Sequence, residues 1–292
     1  TTEDFDQTVE ENIRAIEFCK TQKNIHAVVS KLSSLAPYGL FKRLHSPEKL
    51  KEKDKKRIPL LKERLNKICS AAEEAGVQIY FDAEESWYQD SMDMLVTEMM
   101  EKYNKEKAII FNTIQLYRHD RLAFLKKSLE KARSGKYLLG VKLVRGAYME
   151  KENKRAREEN RSTPIQPDKA SCDRDYNAAL NLCLDNLEQV SFCAATHNEQ
   201  SCLMLATEMK KRNIPVNHPH IHISQLYGMS DHISFNMADA GYSVSKYVPY
   251  GPVKDVIPYL IRRAQENTAV TGQMSRELTM IKKEMKRRKQ GR

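Results

Sequence analysis

Two adjacent arginines near the end of the chain, Arg262 and Arg263, have the type and spacing to bind an anionic group. If a helix starts at Pro252, spacings of three, four and seven residues bring them to one face with Tyr259 and Glu266. A guanidinium is a planar fork of donors that matches a carboxylate or phosphate, and Glu266 can hold one arginine in place. The face fits a clamp for an anionic ligand, although a solvated charged face has the same pattern.

Short apolar runs that alternate with helical patterns predict the elements that position this clamp. The predicted strands are 25–32, 77–81, 108–113, 138–144, 190–195, 220–224 and 243–248. Continuous apolar runs are typical of parallel strands buried on both faces, and their even spacing favours one closed α/β barrel over residues 1–292. The chain opens on a helical pattern at 4–21. The first barrel strand is therefore expected upstream of Thr1, or its place is open.

Polar side chains fall at or just past the carboxyl ends of these predicted strands. They are Lys31, Asp82, Gln115, Lys142, Arg145, His197, Asn198, Gln225 and Tyr247. In a parallel barrel these ends surround one mouth, where binding groups gather, although each residue alone is also explained as a solvated loop residue. The mouth is rich in donors and has Asp82 as an acceptor, so it suits a ligand with a negative group and a polar heterocycle.

Composition limits the classes of function. The chain has 292 residues, a net charge of +10 and 40% hydrophobic residues, which is typical of a globular protein with a large core. We expect no transmembrane helix, because no run of 18 apolar residues occurs. The first residue is not methionine, so natural N-terminal residues are expected to be missing. Six dispersed cysteines predict reduced thiols in a cytosol-like compartment.

The positive charge is concentrated only in the C-terminal segment 282–289, K-K-E-M-K-R-R-K. This segment is predicted as a basic helix, 274–289, that either keeps the protein soluble or attaches it to anionic lipid. No nucleic acid partner is expected, because basic residues are not interleaved with aromatic residues in a recognisable module.

Motifs for phosphate, dinucleotide and serine-nucleophile sites are absent from the sequence. The histidines at 218, 220 and 222 (H-P-H-I-H) suggest a metal site as one hypothesis, because alternate residues of a strand share a face. His197 and Asp82 could complete such a site. Pro219 interrupts the strand start, so packing histidines are the favoured interpretation and no metal is expected. A metal-dependent barrel hydrolase remains a distant alternative.

Five motifs resemble the proline dehydrogenase family across nearly the whole chain. They are F-D-A-E-E (81–85), V-K-L-V-R-G-A-Y (141–148), A-A-T-H-N (194–198), Q-L-Y-G-M-S-D (225–231) and Y-V-P-Y-G-P-V…P-Y-L-I-R-R-A-x-E-N (247–267). The resemblance implies a distorted (β/α)8 TIM-like barrel, with the last helix over the mouth and FAD bound without a covalent link. It also implies oxidation of L-proline to Δ1-pyrroline-5-carboxylate, the first step of proline catabolism, by hydride transfer to flavin N5, and electron transfer to a membrane quinone.

The resemblance also implies site residues. The substrate group contains the carboxylate clamp and the residues packed around the proline ring: Lys31, Leu226, Tyr247, Tyr259, Arg262 and Arg263. Catalytic residues that line the same pocket are Asp82, Lys142 and Tyr148. The flavin group contains Ala83, Gln115, Lys142, Val144, Arg145, Gly146, Thr196, His197 and Glu266.

Two features qualify what the resemblance implies. Many family members carry arginine where this chain has Lys142, so the flavin contact is expected to keep its charge and to lose the fork geometry. A hydroxyproline dehydrogenase is the close alternative, but the family associates a bulky tyrosine at the position of Tyr247 with exclusion of the extra hydroxyl.

The predicted compartment is the bacterial cytoplasm, peripheral at the inner membrane, with the mitochondrial matrix or inner membrane as the alternative.

Overall fold

The computed structural model describes residues 1–45, 47–254, 256–257, 259–261 and 271–290. The predicted clamp residues Arg262 and Arg263 and their neighbour Glu266 lie outside these described residues. In the preceding segment, 253–261, the described residues are helical, as the sequence predicts.

Helices and strands alternate along the described chain. The strands are β1 (Ala27–Ser30), β2 (Gln78–Phe81), β3 (Ile110–Gln115), β4 (Leu139–Val144), β5 (Val190–Ala195), β6 (Ile221–Leu226) and β7 (Val244–Tyr247). The α-helices between them are α1 (Thr2–Thr21), α2 (Tyr38–Leu44), α3 (Glu52–Ala75), α4 (Ser86–Tyr103), α5 (Arg121–Gly135), α6 (Met149–Glu158), α7 (Lys169–Leu184), α8 (Glu199–Lys211) and α9 (Asp231–Asp239). The C-terminal helix is Thr271–Gln290, and short 3-10 turns span Leu32–Ser34 and Pro47–Lys49.

Local sequence explains where several elements begin and end. Helix α3 stops at Gly76, which adopts a left-handed conformation (φ 67°) and donates its backbone N–H to the carbonyls of Ala72 and Glu73. Helix α7 starts after Asp168, whose carboxylate accepts the Ser171 N–H. The predicted elements differ from the structure at several places. Helix α2 was not predicted, because seven residues hold too few turns for a periodic signal. Strands β3 and β6 each extend two residues beyond the predicted end, so that they include Gln115 and Leu226.

The strands form a parallel sheet in chain order, β1-β2-β3-β4-β5-β6-β7. This confirms the α/β class and the parallel sheet predicted from the apolar runs. The register aligns Ser30 with Phe81, so Lys31 and Asp82 follow side by side. It also aligns Lys142 of β4 with Thr113 and Cys193 on the neighbouring strands.

The chain divides into two compact units, Thr1–His222 and Ile223–Arg292. In the first unit, Tyr80, Phe111 and Cys193 form a buried cluster from three strands, with the two rings 4.6 Å apart. In the second unit, β6 pairs with β7 from Ile223 onward, and α9 packs on β7. The described residues contain no helix long and apolar enough to span a membrane. One barrel domain over 1–292 stays a prediction.

Two histidines meet where the sheet of the first unit curls. The ring of His222, in β6, stacks on His26, just before β1, with centroids 3.8 Å apart. They line a cavity of about 300 Å³ together with Cys19, Lys20 and Gln78. Burial lowers the pKa of both imidazoles, and the neighbouring His26 helps to lower that of His222 to about 3.

Acidification from pH 7 to pH 5 is therefore expected to lower the free energy of unfolding by about 1–2 kcal/mol through His222. The unfolded histidine binds a proton below its ordinary pKa of 6.5, whereas the folded one does so only near 3. Stability present above the unfolded pKa is thus lost as the pH falls. Urea unfolding at both pH values measures this slope, and His222→Gln should flatten it. Cys19→Ala, in the same cavity, should weaken the fold equally at both pH values; an unchanged slope in His222→Gln would contradict the prediction.

Candidate active site

Three charged side chains converge at the carboxyl ends of β1, β2 and β4. The Asp82 carboxylate accepts a hydrogen bond from Lys142 Nζ at 2.7 Å, and Lys31 Nζ lies 3.9 Å from its other oxygen. The strand register produces this arrangement, because Asp82 N–H also donates to the Ser30 carbonyl at 2.9 Å. The structure therefore brings together Lys31, Asp82 and Lys142, three residues that the sequence places at neighbouring strand ends.

The charge of Asp82 is set by its neighbours. Burial acts to raise the pKa of this carboxyl, but attraction by Lys142 and Lys31 and the hydrogen bond from Lys142 outweigh burial and hold the pKa below its usual range. Asp82 is therefore ionised at neutral pH and a weak base. Its carboxylate is suited to hold the two ammonium groups in position.

Tyr148 lies beside this cluster at the start of α6. Burial raises the pKa of its hydroxyl, and the adjacent Lys31 ammonium, which hydrogen-bonds to it, opposes the rise. Helix α6 is fixed to the start of α4 by Glu152, a fully buried carboxylate that accepts both the N–H and the hydroxyl of Ser86 at 2.6 and 2.7 Å. Tyr148 is thus a neutral donor at a defined position next to Lys31.

Gln115 is the last residue of β3 and is almost fully buried. Its Nε2 donates to the Glu84 carbonyl at 2.9 Å, in the turn that follows β2 and contains the buried Ala83. Its Oε1 is buried and has no hydrogen-bond partner among the described residues. A buried acceptor without a donor is costly, so this atom is poised to accept an N–H from a ligand.

The last residue of β4, Val144, and the turn that follows, Arg145 to Gly146, lie against Tyr117. Leu116 N–H donates to the Val144 carbonyl and Tyr117 N–H donates to the Arg145 carbonyl, at 2.8 and 2.7 Å. Gly146 has φ 144°, and a Cβ there would lie 2.3 Å from the tyrosine ring. Only glycine fits this close approach and this backbone conformation.

The guanidinium of Arg145 is engaged by protein groups. It donates to Asp173 Oδ1 and Thr196 Oγ1, both at 2.7 Å, and to Ser201 Oγ at 2.9 Å. Its carbon also lies 4.3 Å from the ring centroid of Tyr176. The side chain therefore joins the turn after β4 to Thr196, just past the end of β5, and His197 follows directly.

The second unit contains three other predicted substrate residues. The rings of Tyr247 and Tyr259 lie 6.1 Å apart, and Leu226 is paired in register with Tyr247 at the ends of β6 and β7. These three residues therefore lie near one another within this unit, and their packing around a proline ring stays a prediction.

The histidine motif does not converge on one point. The rings of His218 and His220 lie edge to face at 5.4 Å, whereas His222 stacks on His26. Across the described ranges, no group of three or more His, Cys, Asp or Glu side chains is placed to hold a metal ion.

Comparison with known proteins identifies the family. The family model described as proline dehydrogenase matches residues 1–276. The chain belongs to the proline dehydrogenase family. It is 38% identical over 235 residues to proline dehydrogenase 1, mitochondrial, of Drosophila melanogaster, a match that covers 77% of this chain and 34% of that protein. It is also 38% identical to hydroxyproline dehydrogenase of Xenopus laevis, over 77% of this chain and 49% of that protein.

A third relative spans more of both chains. The carbapenem antibiotics biosynthesis protein CarD of Pectobacterium carotovorum is 34% identical over 97% of this chain and 73% of its own length. The chain spans about a third of the Drosophila proline dehydrogenase that it matches. Among solved structures, proline utilization A from Bdellovibrio bacteriovorus has a TM-score of 0.80 at 23% identity, over 92% of this chain and 29% of that one. At this identity the likeness shows the fold alone.

Two buried carboxylates near this candidate site were not singled out from the sequence. Glu84 accepts the N–H and hydroxyl of Ser33, and burial raises its pKa. It follows Asp82 closely after a strand, a signal that could have revealed it. Glu152 lies in the charged stretch 149–168, whose pattern predicts part helix and part loop, and no local feature distinguishes it from its exposed neighbours.

Proposed function

We propose that this chain oxidises L-proline to Δ1-pyrroline-5-carboxylate with FAD as its cofactor. The observation that carries the proposal is the cluster of Lys31, Asp82 and Lys142 with Tyr148 beside it, in a chain of the proline dehydrogenase family. Two ammonium groups fixed by one ionised carboxylate make a positive site that suits an anionic substrate and an electron-accepting ring.

The residues at the carboxyl ends of β3 and β4 fit an isoalloxazine. Gln115 Oε1 is a buried acceptor suited to a ring N–H, and Lys142 Nζ is a cation suited to a ring that gains electrons. Gly146 lets the backbone after β4 approach a flat group closely. Ala83, Val144, Arg145, Thr196, His197 and Glu266 complete the proposed FAD contacts. Bound FAD would supply the acceptor for the hydride of proline.

The proline carboxylate is proposed to bind Arg262 and Arg263 together with Lys31. Lys31 lies beside the Tyr148 hydroxyl, which keeps its proton at neutral pH and can donate to the same carboxylate. Asp82 is a weak base, so the chain acts by binding and orienting proline rather than by removing a proton through a strong base. Leu226, Tyr247 and Tyr259 are proposed to pack against the proline ring.

Hydroxyproline is the second candidate substrate, because the Xenopus relative is named hydroxyproline dehydrogenase. The aromatic pair favours proline. With Tyr259 6.1 Å away, the Tyr247 ring has limited freedom to make room for an added hydroxyl.

The fold, the electron acceptor and the compartment are further parts of the proposal. We infer a distorted (β/α)8 barrel with the segment after β7 over its mouth, and a membrane quinone as acceptor. Ile281 and Met285 are exposed one helical turn apart among lysines and arginines, which suits peripheral contact with anionic lipid. The names of the Drosophila and other relatives favour the mitochondrial alternative over the bacterial cytoplasm.

The purified protein is expected to bind FAD and to show a flavin band at about 450 nm that bleaches anaerobically on addition of L-proline. Visible spectroscopy before and after the addition measures this, with trans-4-hydroxy-L-proline at the same concentration as the matched control. Faster bleaching by hydroxyproline would replace the substrate with the second candidate. A protein that is reconstituted with FAD and stays oxidised with both amino acids would refute the proposed reaction.

A further inference from the structure

A buried polar network lies behind the proposed cofactor site, on the side of the sheet covered by α4 and α5. Its centre is Asp93 of α4, whose Oδ2 accepts from Arg121 Nη1 at 2.7 Å. Both side chains are less than 5% exposed. Its Oδ1 accepts from Gln89 Nε2 at 2.9 Å and from Asn112 Nδ2 at 2.8 Å. Three hydrogen bonds from different side chains thus fix the orientation of this carboxylate.

From Asp93 the hydrogen bonds continue toward the site. Because Gln89 Nε2 donates to Asp93, the other end of the amide, Oε1, faces the turn after β2 and accepts the Glu84 N–H at 2.7 Å. The carbonyl of Glu84 accepts in turn from Gln115 Nε2. Each bond fixes the orientation of the next amide, so the end of the Gln115 side chain that remains available is its acceptor, Oε1.

We propose that Asp93 is a positioning residue for the cofactor site, acting through Gln89 and the Glu84 backbone to present Gln115 Oε1. The role rests on the proposed FAD function, but the chain of bonds belongs to the protein alone. A buried ion pair contributes little to stability compared with well-packed apolar residues, which leaves a role in orientation for a carboxylate with three defined donors.

Two double variants separate orientation from charge. Asp93→Asn with Arg121→Met removes the ion pair and keeps an Oδ1 acceptor for Gln89 and Asn112. Asp93→Leu with Arg121→Met removes the same charges and the acceptor as well. Positioning predicts that the first variant keeps the FAD affinity of the apoprotein, and that the second weakens it about tenfold, the equivalent of one misaligned hydrogen bond. The flavin reduction potential should shift only in the second.

A measurement without cofactor tests the same chain of bonds. Hydrogen exchange of the apoprotein should accelerate at residues 82–86 in the Asp93→Leu, Arg121→Met double variant. The same acceleration is expected in Gln89→Leu, which replaces the double variant in this test if that variant does not fold. The control is Asn104→Ala, a fully buried amide that binds the opposite ends of β3 and β4 through Ile110 and Leu138. It should lower stability and leave residues 82–86 protected and FAD affinity unchanged.

The outcomes distinguish the two proposals. If the wild-type apoprotein binds no FAD, the proposal that FAD is the cofactor is wrong. Hydrogen exchange at residues 82–86 then decides by itself whether Asp93 orders this turn. If wild type binds FAD and the two double variants match it in affinity, potential and exchange, Asp93 has no positioning role.

Discussion

Replacing Lys142 with methionine is expected to lower kcat/KM for proline by about 100-fold or more, and the free energy of unfolding by about 3 kcal/mol. Among the described residues, the change leaves Asp82, a largely buried carboxylate, with Lys31 at 3.9 Å as its remaining ion-pair partner. The loss of kcat/KM follows from the proposed position of the ammonium beside the electron-accepting ring. The loss of stability follows from the broken 2.7 Å ion pair alone.

The pH dependence of the Lys142→Met variant identifies the cause. In the wild type the lowered pKa of Asp82 contributes stability above its unfolded pKa, and this is lost as the pH falls through the folded value. Without Lys142, burial should raise the pKa above the unfolded value, so the sign reverses. The stability deficit of the variant should then be largest at pH 7 and shrink toward pH 4, as measured by denaturant unfolding.

Two further variants serve as controls for this prediction. Lys142→Arg keeps the charge and should retain stability and FAD binding. Asp82→Asn combined with Lys142→Met should recover part of the lost stability, because it removes the uncompensated carboxylate. A single Lys142→Met variant with wild-type stability at pH 7 would show that the ion pair does not hold this site together.

The position of this cluster could be predicted from sequence because it depends on simple regularities. Lys31, Asp82 and Lys142 lie at or next to the ends of apolar strands, and parallel pairing brings such ends to one edge. Lys142 was placed within its strand and Asp82 just past one, and the register then set them 2.7 Å apart. The resemblance added the expected roles, which spacing alone does not give.

The contacts that support the site could not be predicted, because the partners are distant in sequence. Glu152 binds Ser86, 66 residues away, and Gln115 binds the Glu84 carbonyl, 31 residues away. Their own neighbourhoods predict a charged segment that is part helix and part loop, and a polar residue at a strand end, but neither pattern identifies a partner. The role of Arg145 was equally hidden, because an arginine after a strand suggests a ligand contact, whereas its hydroxyl and carboxylate partners come from the regions of α7 and α8.

Arg145 provides the second large effect. We expect Arg145→Lys to destabilise the apoprotein by about 2–3 kcal/mol, nearly as much as Arg145→Met, because a single ammonium cannot replace a fork that reaches Thr196 and Ser201 at once. Denaturant unfolding without cofactor measures this. Asp173 is less affected by the loss of charge, because Lys169 also pairs with it.

The comparison of Arg145→Lys with wild type separates two roles for this residue. If the arginine acts by holding Thr196 in place, the lysine variant loses stability as apoprotein and also loses FAD affinity, and raising the salt concentration changes that affinity no more than in wild type. If the arginine instead contacts a phosphate of the cofactor, its replacement by lysine does not change the stability of the apoprotein. Because lysine keeps the positive charge, the FAD affinity of this variant then stays sensitive to salt. The three hydrogen bonds of the guanidinium and its position over the Tyr176 ring favour the first result, because a guanidinium held by three side chains is already oriented before any ligand arrives.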